Sequence, residues 1–107
     1  MSDLDKATYW YHKAAEDDNK VALYKLGEFY ELGKGVDEDK TKSYGFYRQA
    51  AENGHIGGKY KLGYYYDRGI IVDIDKEKAF DLYKEAAEGG NADAQKYLAM
   101  KNFLFHE

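Results

Sequence analysis

ALYKLGEFYELGKGVDEDKTKSYGFYRQAAENG, residues 22–54, is the stretch that decides the fold, because its landmarks recur on both sides of it. Ala50-Ala51-Glu52, near its end, stands as Ala14-Ala15-Glu16 before it and as Ala86-Ala87-Glu88 after it, at steps of 36 residues. Leu26-Gly27 returns as Leu62-Gly63 and then as Leu98-Ala99. Tyr11, Tyr47 and Tyr83 share one column of this register, Lys6, Lys42 and Lys78 a second, and Asp3, Asp39 and Asp75 a third. Ala22, Gly58 and Ala94 form a column of small residues. A fixed period of this length is the mark of a repeat architecture.

Each period reads as two helices. Helix A covers 20–32, 56–68 and 92–105, with Ala22, Leu26, Phe29 and Tyr30 at the three-and-four spacing of one buried stripe. Gly33 and Gly35 break it. Helix B covers 3–17, 39–53 and 75–89, and Ser43, Phe46, Tyr47, Ala50 and Ala51 supply its stripe. Asp3, Asp39 and Asp75 stand where an N-cap accepts the free N–H groups of a first turn. Gly54 and Gly90 suit a left-handed residue after helix B, a place Asp18 takes in the first copy. Gly27 and Gly63 fall inside helices, where Gly costs about 1 kcal/mol against Ala. Their return at the period points to a neighbouring helix passing too close for a side chain, with Ala14 and Ala50 serving the same purpose on helix B. A helix pair this thin buries its apolar face only by stacking on the next pair. The expectation is one all-α domain over 1–107, a right-handed α-solenoid of antiparallel helix pairs with about six helices. It comprises a first helix B, repeats 20–53 and 56–89, and a last helix A.

These residues resemble the Sel-like repeat (SLR) family, relatives of the tetratricopeptide repeats. The family pattern is roughly A-x3-L-G-x2-Y-x2-G-x-G-V-x2-D-x2-K-A-x2-W-Y-x-K-A-A-E-x-G. Ala22, Leu26-Gly27, Tyr30, Gly33, Gly35-Val36, Asp39, Lys42, Phe46-Tyr47, Ala50-Ala51-Glu52 and Gly54 follow it. So do Leu62-Gly63, Tyr66, Gly69, Val72, Asp75, Lys78-Ala79, Tyr83 and Ala86-Ala87-Glu88. The resemblance implies adaptors and scaffolds that bind other proteins, and it is specific for fold more than for function. Ile71 departs from it by replacing the second loop Gly, so the turn Gly69-Ile70-Ile71-Val72 cannot place φ > 0 there cheaply and the resemblance does not carry its geometry over. Ala99 and Asn102 depart in the last helix A. Disulfide-stapled secreted members are a poor match for a chain without Cys.

Composition narrows the function classes. Hydrophobic residues make up 44% and charged residues 34% of 107, the balance of a folded water-soluble domain. No apolar run reaches the roughly 20 residues of a membrane helix, and the first residues lack a secretion signal, so the expected location is the cytoplasm. A net charge of −4 argues against nucleic-acid binding, which needs a basic surface. His12, His55 and His106 share no catalytic spacing. His12 reads as a solvated helix position, and His55, in the column of Asn19 and Asn91, as a cap. Asp37-Glu38-Asp39 and Asp73-Ile74-Asp75 lack the spacing of a calcium-binding hand. Gly33-Lys34-Gly35 lacks the preceding strand of a phosphate loop. No cofactor, metal or catalytic residue is expected.

The expected partner is a protein or peptide. With Leu26 at the core of a helical wheel, Tyr24, Glu28 and Glu31 fall opposite. Their equivalents are Tyr60, Tyr64 and Asp67, then Lys96, Met100 and Phe103. Tyr supplies contact area and a hydrogen bond at low entropic cost. In the tetratricopeptide superfamily this side of helix A looks inward on a concave groove that holds peptides, so the resemblance implies an aromatic groove here, edged by Glu28, Glu31 and Asp67, that takes a helix or extended peptide with apolar anchors and some Lys or Arg. A second expectation is head-to-tail self-assembly into a homo-oligomer, as in an engineered or excised array. It rests on Tyr9, Trp10 and Tyr11 in the first helix and Phe103-Leu104-Phe105 in the last.

Overall fold

The structure, a computed structural model, describes the backbone of residues 2–105 and the side chains up to Lys101. Among the described residues six helices follow one another: α1 (Asp3–Ala15), α2 (Lys20–Leu32), α3 (Lys40–Glu52), α4 (Ile56–Arg68), α5 (Lys76–Glu88) and α6 (Ala92–Phe105). The three A helices (α2, α4, α6) have the bounds the periodicity predicts, and the B helices (α1, α3, α5) are shorter by one or two residues at their ends. Every substantial helix contact is between chain neighbours, and the body extends 56 × 24 × 20 Å. That is an α-solenoid, in which each pair touches only the next. No helix among the described residues is long and apolar enough to cross a membrane.

Short polar side chains start the helices. Asn19 Oδ1 accepts the Ala22 N–H at 3.0 Å, Asp39 Oδ1 that of Lys42 at 3.1 Å, and Asp75 Oδ1 that of Lys78 at 2.9 Å. The first copy differs from expectation, since Ser2 rather than Asp3 caps α1. Ser2 Oγ accepts from the Asp5 N–H and Asp5 accepts from the Ser2 N–H, a reciprocal box that satisfies two free donors and draws Asp3 into the helix. Left-handed residues follow the B helices at Asp18, Gly54 and Gly90.

The core is a row of columns. Leu26, Tyr47, Ala50, Ala79, Ala86 and Ala94 are fully buried. Gly27 lies under the Tyr47 ring, and a Cβ there would come within 2.5 Å of it. Gly63 lies under Tyr83 in the same way, with a Cβ 3.1 Å from the ring. The interior glycines therefore admit the tyrosine of the following B helix. Leu23 is also buried, outside the predicted stripe, and so is Tyr65, which holds the Phe29 column of that stripe in the next copy. Phe29 and Tyr30 are only half-buried: Phe29 meets Tyr11 edge-on, and Tyr30 stacks on Phe46. His12 is not a solvated position. Its Nε2 lies 3.2 Å from Tyr30 Oη and its ring packs edge-on against Tyr30 and Phe46. Ile71 takes φ +67°, the value of Gly35, so the residue keeps the family's backbone conformation and the strain falls on Ile71.

Candidate partner-binding groove

Residues from α2, α4 and the start of α6 line one concavity of about 480 Å3. Tyr24, Glu31, Tyr60 and Tyr64, four of the residues predicted from the wheel, are in its wall. Helical spacing places them there, because Leu23 and Leu26 point the opposite arc of α2 into the core. Tyr24 stacks on His55 with ring centroids 4.5 Å apart and tilts against Tyr47. Tyr60 tilts against Tyr83, and the Arg68 guanidinium lies over the Tyr64 ring at 5.2 Å. These rings are half-buried. Burial, with the Glu28 carboxylate next, pushes the Tyr24 hydroxyl up to about 12, so it remains a hydrogen-bond donor.

The predicted acids divide. Glu28 is half-exposed and pairs with Lys25 at 3.5 Å. Glu31 faces the concavity, but its side chain is only 12% exposed and its carboxylate has internal partners. Tyr47 Oη donates to it at 2.7 Å, Lys61 Nζ at 3.3 Å, and the Tyr65 hydroxyl lies 3.4 Å away. Tyr65 also lies 2.9 Å from Ser43 Oγ, which donates to the Gly27 carbonyl at 2.8 Å. Burial and the Glu31 charge raise Tyr47 well above the usual tyrosine range. Asp67 is buried outside the concavity, taking Lys76 Nζ at 2.7 Å and Tyr83 Oη at 3.3 Å. Lys96 and Met100 are exposed on α6 beyond the concavity. The Phe103 side chain and His106 lie outside the described residues.

The wheel missed Leu32, Lys40, Gly57, Lys61, Asn91 and Asp93, which complete the lining. Lys40 had a signal: it follows Glu31 by nine residues, as Lys76 follows Asp67, and each ammonium donates to the acid's own carbonyl. Asn91 and Asp93 belong to the α6 start, where Asn91 Oδ1 accepts the Ala94 N–H at 2.8 Å. No helical wheel drawn on α4 could place them. With Lys61 held by Glu31 and Lys40 by its carbonyl, the exposed acids at this face are Asp93 and, in part, Glu28.

The Sel1 repeat pattern matches residues 2–19, 20–55 and 58–91. The chain is 40% identical to a Sel1 repeat protein from Oxalobacter formigenes, covering 85% of this chain and 68% of that one with a TM-score of 0.82. A protective antigen of uropathogenic Escherichia coli strains, which displays an SLR fold, is 33% identical with a TM-score of 0.85, over 91% of this chain and 21% of that one. Cysteine rich protein B of Helicobacter pylori is 29% identical with a TM-score of 0.78, over 84% and 68%. No curated protein sequence matches the chain.

Proposed function

We propose, from the premise that this chain belongs to the Sel1 repeat family, that it is a non-catalytic interaction module whose tyrosine-lined groove binds a protein or peptide partner. Sel1 repeats are in general protein-interaction scaffolds. The observation that carries the choice of face is the single concavity shared by Tyr24, Tyr60 and Tyr64 from two successive A helices. Rigid, half-buried aromatic rings bind without losing much conformational freedom. Asp93, exposed in the lining, favours a partner carrying Lys or Arg beside its apolar anchors.

A peptide-display selection against the folded chain tests this reading. Selected peptides should combine an aromatic or aliphatic anchor with a basic residue. Tyr60→Ala and Tyr64→Ala should each weaken them by about tenfold or more, the size of a modest interface hot spot, and Tyr64→Ala, whose ring is outside the core cluster, should do so with little loss of fold stability. Binding that survives both substitutions sinks the groove. Light scattering during the same titration tests the second reading, self-association. That reading is favoured by Trp10, which is 66% exposed although it occupies the column of Phe46, stacked on Tyr30. Growth in mass without peptide, abolished by Trp10→Ser, would support it.

A further inference from the structure

The three A helices are capped from one column, filled by Asn19, His55 and Asn91. Asn19 and Asn91 accept the first-turn N–H through an amide oxygen that does not titrate. His55 does the same work with Nδ1, which accepts the Gly58 N–H at 3.0 Å. Accepting there requires a neutral imidazole with its proton on Nε2. The same ring is stacked on Tyr24, a wall of the groove, at an interplanar angle of 21°.

We infer that His55 is a pH-responsive latch on the groove: neutral, it caps α4 and holds the Tyr24 ring; protonated, it releases the Gly58 N–H and lets that wall shift. The charged groups facing it come from α2. Lys20 and Lys25 oppose a positive imidazole and Glu28 favours it. From α3, the Ala50 carbonyl accepts the His55 backbone N–H at 2.9 Å. A cation over the Tyr24 ring regains some attraction, but at a helix N-terminus it also meets the positive end of the helix dipole. Burial, then Lys20, hold His55 below the usual histidine value near 6.5. The unfolded chain therefore takes up the proton more readily. The stability from this cap is fully present above that usual value and is lost as the pH falls through the lower folded-state value.

The inference takes its consequence from the groove reading, but its test needs no partner. Wild type and His55→Asn are titrated by NMR from pH 8 to pH 5. The substitute is the residue that caps the other two A helices, so the variant should fold. In wild type, the Gly58 amide and Tyr24 ring signals should move together with the His55 imidazole. Exchange of the first-turn α4 amides, corrected for its intrinsic pH dependence, should speed up by about fivefold, the worth of one cap. In His55→Asn all of these should stay flat. A wild-type Gly58 amide and Tyr24 ring that hold still while His55 titrates would overturn the latch, as would identical shifts in the variant. A latch that behaves as expected while selected peptides ignore both Tyr60→Ala and Tyr64→Ala would instead remove the groove and leave the latch standing.

Discussion

Glu31 and Asp67 hold the same column in successive repeats and differ by one methylene. Both accept the hydroxyl of the tyrosine on the following B helix, Tyr47 at 2.7 Å and Tyr83 at 3.3 Å. Both present their carbonyl to a lysine, Lys40 at 3.2 Å and Lys76 at 2.9 Å. Beyond that they part. The longer Glu31 reaches Lys61 and Tyr65 on the next A helix, whereas the shorter Asp67 turns back to Lys76. One acid ties two repeats together and the other closes its own. In a solenoid the coupling between neighbours sets cooperativity, so this methylene bears on how the chain unfolds as well as on how stable it is.

Removing each acid is the largest break that can be made in this comparison. Glu31→Ala strands the buried Tyr47 hydroxyl and frees Lys61, and should cost about 3 kcal/mol, since hydrogen bonds to a charged group are worth roughly 1.5–3 kcal/mol. Asp67→Ala strands the Tyr83 hydroxyl too, but that bond is longer, 3.3 Å against 2.7 Å, and the Lys76 side chain is 62% exposed and returns to water, so the cost should be about half as much. Urea unfolding monitored by circular dichroism measures both. Equal losses would mean that the reach to α4 contributes nothing. A broadened transition in Glu31→Ala alone would sharpen the view that Glu31 couples repeats.

A second pair tests the same two repeats at their closest backbone approach. An alanine Cβ at position 27 would lie 2.5 Å from the fully buried Tyr47 ring, so that ring must move. At position 63 it would lie 3.1 Å from Tyr83, where a few tenths of an ångström suffice. Gly27→Ala should therefore lose about 2 kcal/mol to overpacking. Gly63→Ala should come out within about 0.5 kcal/mol of wild type, because the gain in helix propensity offsets the crowding. Thermal melts of the two variants decide it. A Gly27→Ala as mild as Gly63→Ala would show that Tyr47 has slack.

These contrasts also mark what was legible in the sequence. The 36-residue register gave the helices, the caps at Asp39 and Asp75 and the meaning of Gly27 and Gly63, because repetition exposes any residue held in place by a neighbour. The wheel put Tyr24, Tyr60 and Tyr64 on the arc that lines the concavity, since one helix decides which arc faces out. It could not foresee that Glu31 and Asp67 turn inward, because their partners Tyr47, Lys61 and Lys76 come from other elements or from beyond the helix end. His12 failed for the same reason: its column mates Arg48 and Lys84 are exposed, but only His12 has Tyr30 and Phe46 beside it. Asp93 and Asn91 enter the groove only because α6 packs on α5, which brings its start beside the α4 residues of the lining.

The smallest effect is expected in the loops that follow the two acids. Gly35 and Ile71 share φ +67°, so the two turns have one backbone conformation at that residue and two very different occupants. A β-branched residue there is strained by roughly 1–2 kcal/mol, while Gly adopts it freely but loses more entropy on folding. Ile71 is about half exposed, so little burial is lost with its side chain. Ile71→Gly should thus raise stability, by about 1 kcal/mol at most. The reverse change, Gly35→Ile, should lower it by more, because a Cβ there already lies 2.9 Å from Thr8 Oγ1. Denaturant midpoints of the two variants, taken at constant slope, are the check. If Ile71→Gly instead loses stability, the exposed isoleucine makes a compensating contact in the turn, with Ile70 or Ile74 the nearest candidates along the chain. The two repeats would then differ in how they close as well as in how they couple.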